Sequence, residues 1–260
     1  MDFQKLEELV KTAGLNPKHS EALLHALNKV RSTGKGIKGL EELSNNTYFI
    51  PAIRPLRESP GLGVYWGPGQ PTDFGKVVSF IPLKAIKYRV VRDIDTKKIE
   101  RRIFNPEIRV EQTEGKQIFP ITAIIAVKKD LTNFFVIEGI GTRTSKVQDF
   151  LKEVQLTPGI RAIYEVEGEL RRKRERRNGK EFASFDILLN GKIEDPELLK
   201  AAKIASQIID EYYSYRKLKA IQLQREEVVS GSAAIEAEEE ATTPEGMEEL
   251  KELKELKNQI

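Results

Sequence analysis

Cysteine is absent from the chain, so disulfides and thiolate-held metals need no consideration. Histidine occurs only at His19 and His25, six apart on a predicted surface helix, and both read as structural or solvated. No zinc-ligand spacing and no nucleophile elbow are present. No run of about 18 apolar residues occurs, so a membrane span is not expected. The opening "MDFQKLEELVKTAG" is amphipathic and carries acids from the start, which does not fit a secretory signal. Together these absences lead to the expectation of a non-enzymatic, cytoplasmic protein without cofactors or metals.

What is present is charge, at 32 % of 260 residues. The net charge of +3 conceals an asymmetry. Residues 226–260 hold 11 acids and 3 lysines, a balance of −8, which leaves 40 bases and 29 acids, or +11, on the rest. A basic body with an acidic tail suits a nucleic-acid partner. The abundance of Lys, Glu and Ile without Cys also fits a hot habitat.

The spacing of apolar residues divides the chain into four parts. Residues 1–45 form a helical segment: Leu6, Leu9, Val10 and Ala13 keep helical spacing, and Asn16-Pro17 opens a second stripe of Leu23, Leu24, Leu27 and Val30. Residues 46–193 begin with a long Gly/Pro-rich loop from Pro51 to Gly75 and continue as a β domain. Strands are predicted at Val77–Arg92 (interrupted by Pro82), Ile103–Gln112, Ile118–Val127, Asn133–Ile137, Ile160–Arg174 and Glu181–Leu189. Between the fourth and fifth, Ser145 and Gln148 form a capping box for a helix with the stripe Val147, Phe150, Leu151 and Val154. Residues 194–227 read as a long helix from Asp195-Pro196 to about Glu227, with Leu198, Leu199, Ala202, Ala205, Ile208, Ile209 and Tyr212 on its buried face. Residues 228–260 form an acidic, disordered tail ending in a short amphipathic helix suited to a partner protein or a second copy of the chain.

The strongest local signal is "RRKRERRNGKEFASFDI", Arg171 to Ile187, with seven cations and one acid in its first ten residues. Asn178-Gly179 favours a two-residue turn with positive φ at both positions. Such a turn pairs Arg177 with Lys180, so that paired numbers sum to 357. That odd sum matches the even apolar positions of the first strand (Ile160, Ala162, Tyr164, Val166, Leu170) with the odd ones of the second (Ala183, Phe185, Ile187, Leu189), and it sets Arg171 opposite Asp186. A projecting basic hairpin follows. Arg172, Lys173, Arg174, Arg176, Arg177 and Lys180 would track phosphates, and Phe182 and Phe185 would stack on unpaired bases.

A second basic group, Lys84, Lys87, Arg89, Arg92, Arg101 and Arg102, is interleaved with Tyr88 and Phe104 and fits a binding sheet. Ile86, Tyr88 and Val90 face one way there, Lys87 and Arg89 the other. Trp66 in the Gly-rich loop could stack on a base or anchor the loop to the core. "GIGTRTSK" lacks the third glycine of a dinucleotide fingerprint and the Gly-Lys-Ser/Thr of a P-loop. It reads as a turn and helix cap that adds Arg143 and Lys146 as backbone-phosphate contacts. Asp93 or Asp95 with Glu114 and Lys116 imitates a metal-dependent nuclease pattern, which gives an alternative class, a Mg²⁺-dependent nuclease. A third class is a protein-interaction scaffold of a replication complex.

The order of three strands, a short strand, a helix and two strands resembles the OB-fold, a five-stranded barrel with a helix plugging one end. With Asn46-Thr47, Val77 to Leu83, Phe134 to Val154 and Asn178 to Lys180, the chain is similar to a group of bacteriophage single-stranded DNA-binding proteins. The resemblance implies a mainly β, OB-fold-like barrel with flanking helices. It also implies coating of single-stranded DNA, or RNA, during replication or recombination, and a tail that recruits replication proteins. The chain departs from that group in ending on a Leu/Lys/Glu stripe rather than on acids with a final aromatic.

Overall fold

The computed structural model describes residues 1–33, 50–57, 59–66, 71–96, 99–103, 114–141, 143–177 and 179–215, without the side chains of 33, 99–103, 177 and 180. The fold is mixed α/β, an antiparallel sheet carrying helices on both faces. The predicted acidic tail and the helix beyond residue 215 lie outside the described residues.

Two helices open the chain. The Asp2 carboxylate caps α1 (Phe3–Thr12) by accepting from the Lys5 amide at 3.2 Å. Asn16 caps α2 (Pro17–Thr33) by accepting from the His19 amide at 2.8 Å, and its side-chain nitrogen meets the His19 ring at 3.1 Å. His19 is therefore part of a helix start. The stretch expected as one long loop contains a small three-stranded sheet instead: β1 (Arg54–Pro55), β2 (Leu62–Val64) and β3 (Thr72–Asp73). Ile53, Leu56, Leu62 and Val64 are buried, and Ile53, Leu62 and Val64 hold this lead-in against the main sheet.

The main sheet is built from β4 (Val77–Asp93), β5 (Ile99–Ile103), β6 (Lys116–Lys128), β7 (Phe134–Glu138), β8 (Val166–Arg177) and β9 (Lys180–Lys192). Its order is β7-β6-β4-β8-β9, and β5 shares the β8 edge of β4. Strand β5 lies earlier than the predicted Ile103–Gln112, of which 104–112 fall outside the described residues. Residues 163–165 form a 3₁₀ turn, so β8 starts at Val166 rather than at Ile160.

Pro82 does not interrupt β4. The strand passes through it, with a register shift against β6 between Pro82 and Lys84 that leaves Leu83 as an extra residue. The shift reverses which face the even residues occupy. Val78 and Phe80 point toward one core, while Ile86, Tyr88 and Val90 join Ile81 and Leu83 in the other. Strand β6 alternates in the same way: Ile124 and Ala126 on one side, Ile121, Ala123, Ile125 and Val127 on the other. The run from Ala123 to Val127 is therefore apolar throughout because both of its faces are covered, while Thr122 before it is half-buried.

One face carries α1, α2 and a fourth helix, α4, spanning residues 196–215. Ala201, Ala202 and Ala205 let α4 approach closely, and Leu198, Ile208, Ile209 and Tyr212 fill the space around them. The Ser206 hydroxyl donates to the carbonyl of the bulged Leu83 at 3.3 Å, and the Tyr212 hydroxyl accepts from the Ile50 amide at 3.1 Å. The N-terminal helices thus share one core with the sheet and with α4.

The other face carries α3 (Arg143–Leu156), whose Val147, Phe150 and Val154 are buried. This helix starts at Arg143, ahead of the predicted cap at Ser145, and the Thr144 hydroxyl donates to the Gly139 carbonyl at 3.0 Å. Phe80 packs edge-on against Phe135 and tilted against Phe150, with ring centroids 6.2 and 5.6 Å apart.

A closed barrel was the expectation from resemblance, but the sheet is open. Among the described residues no hydrogen-bonded pair joins β7 to β9. The lead-in occupies that free edge of β7: the Ile53 amide donates to Val136 O, and the Val136 amide to Pro51 O, each at 2.9 Å. The chain then runs on as β1 beside β9, and α3 packs against both β7 and β9. The outward amide and carbonyl of Val136, at the middle of β7, are thus taken by the lead-in rather than by β9.

Gly168 lies opposite Phe80 in the β4–β8 pair, and a Cβ there would stand 2.4 Å from Phe80 Cζ. Gly168→Ala should therefore destabilise the protein by about 1–3 kcal/mol. Adding Phe80→Leu should recover part of that loss in a double-mutant cycle of urea unfolding. Additive costs would show that the ring does not rest on the glycine.

Candidate functional site

The basic hairpin has the register that its turn dictates. Every pair from Arg177↔Lys180 to Gly168↔Leu189 sums to 357, until a shift between Glu167 and Gly168. Gly179 has φ +75°, as the turn requires, and Asn178 lies outside the described residues. Val166, Leu170 and Phe185 are fully buried on one face.

The charges pair otherwise than cross-strand neighbours alone would suggest. Arg171 bonds Glu169, and Asp186 is taken by Lys173 at 2.7 Å and Lys146 at 3.1 Å. The reason is reach: α3 projects Lys146 into the hairpin's inner side. There its ammonium also bonds Glu175 and donates to the Phe185 carbonyl at 3.0 Å. Burial works against the Asp186 charge, but hydrogen bonds from Lys173 and Lys146 outweigh it and hold the carboxyl below its usual range. The hydrogen bond from Lys173 to Asp186 raises the ammonium in turn. Glu175 and Asp186 are thus spent internally, whereas Glu181, across from Arg176, is exposed.

Two open clefts of about 550 and 700 Å³ flank the hairpin. The first is lined by Arg57, Ser59, Pro60, Lys76, Arg172, Lys173 and Arg174. The second is lined by Arg54, Pro55, Leu56, Arg57, Ile140, Gly141, Arg143, Arg172, Phe182, Ala183 and Ser184. Arg57 and Arg172 belong to both, which makes the clefts neighbours. Seven lining residues are cationic, and among the described lining residues none is acidic.

Each cation is held differently. The Arg172 guanidinium donates to the carbonyls of Ser59 at 2.6 Å and Leu56 at 3.2 Å, so it pins the lead-in without an ion pair. Arg143 lies over the Phe185 ring, 5.3 Å from its centroid. Burial lowers its pKa, Glu138 opposes that and nearby Arg54 adds to it; a guanidinium stays protonated regardless. Arg54, Arg57, Lys76 and Arg174 are exposed and have no ion pair among the described residues.

The structure thus brings together Arg172, Lys173, Arg174, Arg143 and Phe182 from the expected set. Arg176 is exposed toward the hairpin tip, outside both clefts, and the Arg177 and Lys180 side chains lie outside the described residues. Phe185 is a core residue and has no free ring face for a base. Lys146 is tied into the hairpin's interior. Tyr88 is buried, with its hydroxyl donating to the buried Glu138 at 2.5 Å, whereas Lys87 is exposed and Arg89 and Arg92 are half-buried on β4, none of them at the clefts. Lys84 pairs with Asp210 of α4. The side chains of Arg101 and Arg102, and all of Phe104, lie outside the described residues. Trp66 is half-buried and packs on both cores, as an anchor for the lead-in.

Arg54, Arg57 and Lys76 were missed from the sequence. Arg54 and Arg57 stand singly in a Pro- and Gly-rich stretch and reach the hairpin along the lead-in beside β9, whereas Lys76 reaches it through β4–β8 pairing, its carbonyl accepting from the Arg172 amide at 2.9 Å.

Asp93 and Lys116 are paired at the ends of β4 and β6, and Asp95 and Glu114 are exposed in the turns that adjoin them. Asp93 accepts from the Thr96 amide at 2.7 Å and its hydroxyl at 2.8 Å, and pairs with Lys116 at 3.2 Å. These bonds, the Thr96 amide first, depress the carboxyl to about 2. Among the described residues no cluster of three or more His, Asp or Glu could hold a metal ion, and no helix is long and apolar enough to cross a membrane. Compared with known proteins, the chain matches no family model, no curated protein and no solved structure.

Three outcomes follow. Lys146→Gln strips Glu175, Asp186 and the Phe185 carbonyl of a shared donor and should cost about 1–3 kcal/mol in urea unfolding. Arg174→Gln should leave stability within about 0.5 kcal/mol, as for other exposed sites. Since the Asp93 pKa is lowered on folding, its stabilisation is present above the ordinary carboxylate pKa and is lost as pH falls toward about 2. Thermal melts of Asp93→Asn should accordingly fall less steeply than the parent between about pH 4 and 2.

Proposed function

We propose that this protein binds single-stranded nucleic acid, DNA first, through the paired clefts and largely without regard to sequence. The observation that carries the reading is seven cations and no acid lining two connected clefts, six of them (all but Lys173) without a carboxylate partner among the described residues, beside a hairpin whose Glu175 and Asp186 are paired internally. Cations without carboxylate partners suit a polyanion, because each contact releases condensed counterions without first breaking an ion pair. A half-buried ring at Phe182 favours unpaired bases, whose faces are accessible, over a duplex, whose faces are stacked.

The fold supports the same reading. Strands β4, β6, β7, β8 and β9, with α3 between β7 and β8, follow the chain order and pairing of an OB-fold, with β7 and β9 as the two strands whose contact would complete the barrel. On this reading the protein coats single strands during replication or recombination in the cytoplasm, as in the bacteriophage group it resembles. Partner recruitment would fall to the acidic tail, whose residues lie outside those described.

A fluorescence titration with single-stranded DNA, duplex DNA and RNA at two salt concentrations tests the proposal. Single-stranded DNA should bind more tightly than duplex, and log K should fall linearly with log salt. Arg57→Gln and Arg174→Gln should each reduce the slope by about 0.7, the increment for one phosphate contact on a single strand. Absence of single-strand binding at low salt would overturn the reading, and unchanged slopes would remove the clefts from it.

A further inference from the structure

We propose that the two clefts are separate subsites of one nucleotide-binding site: the Lys76 cleft holds a backbone phosphate, and the Phe182 cleft holds the adjoining base. The proposal rests on the single-strand reading above and goes further, assigning each chemical part of the ligand to its own place.

The clefts differ in kind. Beyond the shared Arg57 and Arg172, the first offers Lys76, Lys173 and Arg174 with Ser59 and Pro60, and no aromatic ring. Lys76 and Arg174 are exposed, and neither has an ion pair among the described residues, so an anion there meets unspent charge. The second offers a buried Leu56, half-buried Pro55 and Ile140, and the half-buried ring of Phe182. Such a floor gains from covering by a flat apolar face and offers a phosphate little beyond its rim of arginines.

Arg172 stands between them as a fixed divider. Two carbonyl acceptors, at 2.6 and 3.2 Å, orient its guanidinium without an ion pair, although its charge is felt by the Asp73 carboxylate, which accepts from Ser59. Arg143 is likewise held on the Phe185 ring, which places a cation at the base cleft without letting it swing into the phosphate cleft. A base and its phosphate are neighbours along a strand, and so are the two clefts.

The test uses the full chain and three ligands: an oligothymidylate of about 8 nucleotides, within the usual single-domain site size, an abasic oligomer of equal length and charge, and inorganic polyphosphate. The parent should bind the intact oligomer more tightly than the abasic one by about 5- to 150-fold, the range for stacking one base. Phe182→Ala should abolish that preference while leaving affinity for the abasic oligomer and polyphosphate unchanged, and Phe182→Tyr should retain it. Lys76→Gln and Arg174→Gln should weaken all three ligands alike. Equal loss for all three ligands in Phe182→Ala, or no preference for bases in the parent, would overturn the base subsite and leave single-strand binding standing. Failure of the parent to bind any of the three at low salt would overturn both readings.

Discussion

The rest of the molecule depends on burying both faces of the β4–β6 pair. A strand pair covered on one side only would need a polar alternation, and β6 has none between Ile121 and Val127. Two separate helical layers answer that requirement: α1, α2 and α4 on one face, α3 on the other. The bulge at Leu83 makes it compatible with a single long β4, since it turns the even residues from one core to the other. Its carbonyl, displaced from regular pairing, is met by Ser206 of α4.

The sheet is covered on both faces where β4 carries Phe80 and Ile81 and β6 carries Ile124 to Val127, while the Ala85, Lys87 and Arg89 side of β4 stays open; the paired clefts lie apart from that open side, beside the hairpin. The edge between β7 and β9 is where the lead-in crosses. That segment does two things there: its backbone bonds to β7, and it carries Arg54 and Arg57 across to the hairpin. The hairpin holds the segment through Arg172, a cation bonded to carbonyls rather than to a carboxylate. Structural support and positive potential therefore come from the same side chain. Glu175 and Asp186 face inward and meet Lys146 and Lys173, so the cations that line the clefts beyond Lys173 form no ion pair with them.

Much of the framework was legible in the chain because it rests on period and turn chemistry. Asn16-Pro17 marked the start of α2, Val147, Phe150 and Val154 marked the buried face of α3, and Asn178-Gly179 set the hairpin register to the residue. What misled were local features with a tertiary answer. Pro82 read as an interruption, yet a bulge absorbs it. The glycines and prolines of 51–75 read as loop, yet four buried apolar side chains fold that stretch into a small sheet. Phe185 and Tyr88 sit among cations in sequence and looked available for stacking. Their alternation placed both on core faces, where burial exceeds any gain from exposure.

The sequence by itself determined the hairpin, its matched faces and its surplus of positive charge, because pairing across a two-residue turn is local arithmetic. Only the tertiary structure decided which of those charges remain unspent. Lys146 lies 29 positions from Glu175 and is consumed by it, whereas Arg57 lies more than 100 positions from Arg172 and stands beside it. Ion pairing acts over a few ångströms of space, and no spacing along the chain encodes that distance.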